Sequence, residues 1–196
     1  MTFGALMDGL LTAFMTNPVA QAFGVLAYGA SAWSVLQKSE DRLRLYMAIS
    51  ALIWAAHHFL MASYVATVMF VVIALRCYLS AVLLKQVLPV RLFVALVFMG
   101  INAIGTCVTW DGTISLFAFA AATVATIAVL LTTGLWTRLL LVSVEMLWLV
   151  YNVHVGSFGG VLACLTDGGI LIYVLFTEYV FKSRRTSTRR PCCPRA

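Results

Sequence analysis

Seven runs of apolar residues, divided by short polar or charged breaks, organise the chain. They fall at about residues 20–37, 44–62, 64–84, 91–109, 113–132, 138–155 and 158–181. A helix needs roughly 20 residues to cross a bilayer, so the pattern predicts seven transmembrane helices. The breaks are KSEDR, Ala62-Ser63, KQVLPVR, Trp110-Asp111-Gly112, TTGLWTR and Gly156-Ser157. Most are too short to be binding loops.

The pattern also repeats. Residues 44–66 return at 138–160, an offset of 94 positions from Arg44 to Arg138. Trp54 aligns with Trp148, His57 with Tyr151, His58 with Asn152, Ala62 with Gly156 and Ser63 with Ser157. Rare residue types in the same order and spacing mark an internal repeat rather than a common leucine-rich composition. A unit of three helices is odd, so a second copy following directly would be inverted. One added span at 91–109 restores its direction. The expected fold is all-α, with two parallel three-helix repeats joined by a linker helix (3+1+3). Its segments are an interfacial N-terminus (1–19), repeat 1 (20–84), a linker (85–110), repeat 2 (111–181) and a basic tail (182–196). In several transporter folds, parallel repeats place a binding site between them near the midplane.

Composition sharpens the class. Apolar residues make up 63% of the chain and charged ones 10%, where a soluble domain carries about 25% charged. Charge also sets orientation. On alternating sides of the seven spans, Lys38, Arg42, Arg44, Lys85, Arg91, Arg138 and the cations from Lys182 to Arg195 fall together. The opposite side holds Asp8 and Asp111. The positive-inside rule then puts the N-terminus in the periplasm and the C-terminus in the cytoplasm of a multi-pass inner-membrane protein.

Several stretches carry a family resemblance: Gln37 through Arg44, Trp54-Ala55-Ala56-His57-His58, Ala62-Ser63-Tyr64, Arg76, Trp110, and Arg138 through Gly160. On these the chain resembles the YgjV-type bacterial inner-membrane proteins over about residues 20–178. The 3+1+3 plan is similar, more distantly, to the SWEET, SemiSWEET and PQ-loop transporters, and that resemblance implies solute transport. The first and fifth helices depart from it, lacking the mid-helix prolines that act as hinges in SWEET-like transporters.

Polar groups at membrane depth are the chemistry on offer, because ionisable side chains in hydrocarbon are costly and face an interior. With about 1.5 Å of rise per residue, Glu145 and Arg76 lie roughly 10 and 13 Å from their cytoplasmic helix ends. His58, Asn152 and Asp167 lie higher, at about 21 Å. Glu145, Trp148 and Asn152 share one helix face, and Ala51, Trp54 and His58 form the matching stripe. The candidate solute-binding residues are therefore Trp54, His57, His58, Trp148, Tyr151, Asn152 and Asp167. His57 and Tyr151 sit about 60° beyond Trp54 and Trp148 at the edge of the stripe, at about 100° per residue. Packing between helices is the competing reading for the stripe. Arg76 and Glu145, at similar depth, are the candidate ion pair or gate, unless Arg76 snorkels to the interface. Proton coupling through Asp167 and His58 is expected of a transporter built this way. Gly159, Gly160 and Ala163 predict a close helix approach.

The remaining features narrow the class further. The spacing of the five cysteines suggests neither zinc nor a disulfide framework. HExxH and GxSxG are missing from the sequence, and no enzyme activity, cofactor or metal is expected. The expected partners are the lipid bilayer and a small polar solute, not nucleic acid. Homo-oligomerisation is left open. A non-transporting structural or partner-binding membrane subunit is the alternative function.

Overall fold

The computed structural model of the protein describes residues 17–83 and 85–177, apart from the side chains at 81 and 82. Residues 1–16 of the expected interfacial N-terminus, the end of the last span and the basic tail with Cys192 and Cys193 lie outside the described residues. Seven helices are described: α1 (Pro18–Val35), α2 (Glu40–Leu60), α3 (Tyr64–Leu83), α4 (Leu88–Val108), α5 (Ser115–Leu131), α6 (Leu135–Val155) and α7 (Phe158–Leu175). Among the described residues there is no strand. Lengths of 17 to 21 residues correspond to about 26–32 Å, close to the bilayer's hydrocarbon thickness. Four of them, α2, α4, α6 and α7, are long and apolar enough to cross a membrane, and apolar stretches at Tyr64–Ser80 and Ser115–Leu131 are shorter.

Every span expected from the apolar runs is a helix, but several begin earlier. Pro18 opens α1, and the Asn17 side chain accepts a hydrogen bond from the Ala20 N–H at 3.3 Å. Proline suits the first helical turn because its missing N–H would be unpaired there anyway. α2 begins at Glu40, not Arg44, with Glu40 and Asp41 in its first turn. Carboxylates there complement the positive end of the helix dipole, so a charged break becomes a helix start.

Six helices close into a ring in which α1 packs on α2, α2 on α3, α3 on α5, α5 on α6, α6 on α7, and α7 back on α1. α4 stands outside, against α3 and α5. It buries Ala95, Phe98, Asn102 and Thr106, and presents Phe93, Leu96 and Ile104 outward. Such a lipid-facing apolar surface needs no protein cover in a membrane. Arg91 pins α4 by donating from Nε to the Leu130 carbonyl at 2.7 Å, near the C-terminal end of α5.

Small residues set how closely the ring packs. Ala118, Ala121, Ala122 and Ala125 on α5 are buried against Met69 and Ile73 of α3. Where α1 meets α7, a Cβ on Gly159 would stand 2.8 Å from the Gly24 carbonyl carbon. The backbones touch there, as the small residues of α7 predicted.

Candidate functional site

A cavity of about 80 Å³ lies inside the ring. Its walls come from α1, α2, α3, α5, α6 and α7, and α4 contributes nothing. One water needs about 10–15 Å³ on this measure, so the space holds about five to eight water-sized bodies.

Of the residues singled out from the sequence, Trp54, Trp148, Asn152 and Asp167 line this cavity together with Arg76 and Glu145. Six residues from four helices thus meet, although the sequence supplied only their heights. Trp54, Phe70 and Trp148 form an aromatic wall. Phe70 is stacked on Trp148 with centroids 4.6 Å apart and on Trp54 at 6.0 Å. The Trp54 indole N–H donates to Ser31 Oγ at 3.3 Å, holding its ring against α1.

Several polar atoms on residues that line this space have no protein partner. Arg76 is fully buried, so it does not snorkel. Its Nη1 donates to Thr126 Oγ1 at 2.6 Å and to the Ala122 carbonyl at 2.9 Å, while Nε and Nη2 are unpartnered. Asn152 donates from Nδ2 to Cys164 Sγ at 3.6 Å, and its Oδ1 is free. One carboxyl oxygen of Asp167, Oδ1, is also free, although the residue is 3% exposed. Buried polar groups in proteins are nearly always paired, with protein or with ordered water. Four unpartnered atoms around one cavity mark a place for something polar.

The expected Arg76–Glu145 ion pair is not made. Among the described residues the salt bridge is Arg44–Glu40, at 2.9 Å. Helix rise fixes how high a side chain sits but not which way round the ring it faces. Arg76 spends its Nη1 on α5 instead.

His57, His58 and Tyr151 are absent from the cavity lining. His57 is bonded at both ring nitrogens, Nδ1 to the Ala20 carbonyl at 2.7 Å and Nε2 to Ser157 Oγ at 2.8 Å. Tyr151 OH meets Ser63 Oγ at 2.7 Å. Both side chains therefore join separate helices near one end of the ring. His58 packs among rings, parallel to Phe70 at 5.3 Å and edge-on to His57 at 4.9 Å, and neither of its nitrogens has a partner.

Sequence reasoning missed Ser31, Ser34, Ser50 and Cys164, which also line the cavity. Ser31 and Ser34 are three apart on α1 and share a face, a signal that was present but weak among so many small residues. Gly160 is equally necessary, since a Cβ there would overlap Asn152 Oδ1.

A second, smaller space of about 10 Å³ lies where α2 and α6 begin, between Glu40, Arg44, Gly134, Thr137 and Arg138. There Glu40 bridges the two helices, accepting from Arg44 through Oε2 at 2.9 Å and from the Gly134 N–H through Oε1 at 3.0 Å.

Among the described residues, no group of three or more His, Cys, Asp or Glu side chains could hold a metal ion. Residues 18–185 match the Imp-YgjV family model, described as a bacterial inner membrane protein. The chain belongs to this family. No curated protein and no solved structure matches it.

Proposed function

We propose that the protein carries a small polar solute across the bacterial inner membrane, through a midplane site between two three-helix repeats. The observation that carries this reading is the central cavity, walled by six helices and lined by residues that keep buried polar atoms without protein partners. A bundle evolved only for cohesion would gain by filling such a space or pairing those atoms.

The 3+1+3 organisation has support beyond the sequence offset. Shifting by 94 residues turns α1, α2 and α3 into α5, α6 and α7. The contacts α1–α2, α2–α3 and α3–α5 then become α5–α6, α6–α7 and α7–α1, all of which are present. The polar ties behave alike. His57 bonds Ser157 and Tyr151 bonds Ser63, so each residue of one aligned pair bonds the opposite half of the other pair. Two halves related by an axis along the membrane normal would exchange contacts in just this way.

The repeats meet at two seams, α1–α7 and α3–α5. Because α1 and α5 lack internal proline, movement in this reading is a rocking of intact bundles about those seams, not a bending of helices. The His57 and Tyr151 ties would open one end, and the Glu40 bridge the other. The Lys and Arg distribution puts the Glu40 end in the cytoplasm, the N-terminus in the periplasm and the C-terminus inside.

The test is accessibility. Cysteine is placed singly at Asn152 and Ala163, with native cysteines replaced, and a small membrane-impermeant thiol reagent is applied from each side of oriented vesicles. Transport predicts modification at both positions from either side. A folded protein unreactive from both sides has a dry centre. One reactive from a single side only has a fixed vestibule, and both of those outcomes fit the non-transporting membrane subunit instead.

A further inference from the structure

We infer that the ligand of the central cavity is a small zwitterion of the amino acid class, its carboxylate on Arg76 and its ammonium between Asp167 and Glu145. This deepens the proposed transport function and rests on it.

The donor set argues for two opposite charges on one molecule. Arg76 is fully buried, permanently charged, and keeps two N–H-bearing nitrogens, Nε and Nη2, without a protein acceptor. A guanidinium offers donors in a fixed fork that matches a carboxylate. Two carboxyl groups line the same space, Glu145 and Asp167, and neither lies within salt-bridge distance of Arg76. Asp167 Oδ1 and Asn152 Oδ1 are acceptors left open, suited to the three donors of an ammonium. A neutral polyol would leave the arginine's charge unanswered in a low-dielectric interior. A simple anion would leave the acceptors unused. Separate groups of opposite sign on one small molecule satisfy both ends.

Size and shape agree. Room for about five to eight water-sized bodies suits glycine or alanine, and a disaccharide is far too large. The Trp54, Phe70 and Trp148 wall offers ring faces that attract an ammonium and an apolar surface for a short side chain. Small residues open the space on the α7 side. Gly160, Ala163 and Cys164 stand at the positions aligned with Ala66, Met69 and Phe70 of α3, so the bulk that fills one half is absent from the other.

The experiment is an equilibrium titration of the purified full-length protein, read by tryptophan fluorescence because two tryptophans line the cavity. The probes are glycine, L-alanine, propionate, ethylammonium and glycerol at millimolar concentrations. Saturable signals are expected for the two amino acids, with propionate and ethylammonium at least tenfold weaker. Asp167→Asn keeps the shape and removes the charge. It should weaken L-alanine by about ten- to a hundredfold, the worth of a hydrogen bond to a charged group, with helicity and melting temperature unchanged. Glu145→Gln is the second variant should Asp167→Asn fold poorly. Glycerol binding as tightly as alanine, no saturation by either amino acid, or full affinity in both variants would each overturn the zwitterion. Cysteine labelling on the same preparation separates the two levels, since a wet cavity that ignores amino acids sinks only this inference. A dry one sinks the transport reading with it.

Discussion

The two polar ties near one end of the ring allow a quantitative test. Tyr151→Phe removes the hydroxyl that meets Ser63 Oγ at 2.7 Å, leaving the ring and its edge contact with Trp148, centroids 5.5 Å apart. Ser63 would keep a buried hydroxyl without its partner, a loss of about 1–3 kcal/mol by general hydrogen-bond energetics. Interhelical bonds in membrane bundles measure lower, averaging about 0.6 and reaching about 1.7 kcal/mol. The lower range governs here, because the bond joins two membrane helices. At about 2–4 °C per kcal/mol for a chain of this size, Tyr151→Phe should lower the melting temperature by about 1–7 °C. Ser63→Ala should cost about the same, and the double variant little more than either alone. The other tie should cost more to break. Ser157 donates its hydroxyl to His57 Nε2, the Nδ1 proton of that ring going to the Ala20 carbonyl, and also caps α7, accepting from the Gly160 N–H at 3.1 Å. Ser157→Ala should therefore exceed Ser63→Ala by about the 1 kcal/mol typical of a lost cap. Melting in detergent micelles, followed by tryptophan fluorescence or by size-exclusion after heating, reads all four variants. Strict additivity of Tyr151→Phe and Ser63→Ala, or equal losses for the two serines, would refute the reasoning.

Other expectations rest on equally local geometry. Gly159→Ala should destabilise by about 1–3 kcal/mol or prevent folding, since its Cβ would meet Gly24 backbone that cannot give way. Gly169→Ala, with nothing within 4 Å of the new Cβ, should be neutral or stabilising by up to about 1 kcal/mol, both read as melting temperatures. Thr126→Val removes the 2.6 Å bond to Arg76 but leaves the Ala122 carbonyl. It should cost about 1 kcal/mol, and a loss-free variant would mean that the Thr126 hydroxyl does not hold Arg76. A reporter fused after Ala196 should be active only in its cytoplasmic form, and one placed in the turn at Trp110–Gly112 only in its periplasmic form. The reverse pattern would overturn the orientation.

The helices could be read from the sequence because apolar length is a direct consequence of bilayer thickness, and no long-range contact is needed to see it. Helix starts were less legible. Glu40 and Asp41 look like a loop when charge alone is counted, and become a first helical turn once the dipole and the Ser39 boundary are considered. Part of the cavity was also legible, since Trp54, Trp148, Asn152 and Asp167, chosen from helix face and rise per residue, do line it together. Azimuth was not. His57 and Tyr151 lie about 60° from the stripe that faces the cavity, enough to turn them towards Ser157 and Ser63. The same blindness to azimuth produced the Arg76–Glu145 pair that the structure does not make.

Under the repeat reading, sameness and difference between the halves divide the work. Where aligned residues are alike in kind, they join the halves. His57 and Tyr151 both bond serines across the ring. Ala62 and Gly156 both adopt positive φ at the helix turns, 55° and 71°. Ala62 is the non-glycine residue in that region among those described, a conformation uncommon enough for alanine that the shared turn is enforced by its surroundings. Around the cavity, apart from the matched Trp54 and Trp148, aligned residues differ. Glu145 stands opposite Ala51, Asp167 opposite Ile73, Cys164 opposite Phe70, and Arg76 opposite Ile170. A duplicated bundle that served only as a scaffold would have no reason to break its symmetry at the centre while keeping it at the rim. A site for a solute with two unlike ends requires that break, because a symmetric cavity presents the same chemistry to both ends. Restoring symmetry is therefore a direct challenge. Cys164→Phe copies the α3 wall onto α7 and should fill the cavity. It should abolish amino acid binding while costing less stability than a cavity-forming change such as Trp148→Ala. If Cys164→Phe binds as the parent does, the cavity is not where the ligand sits.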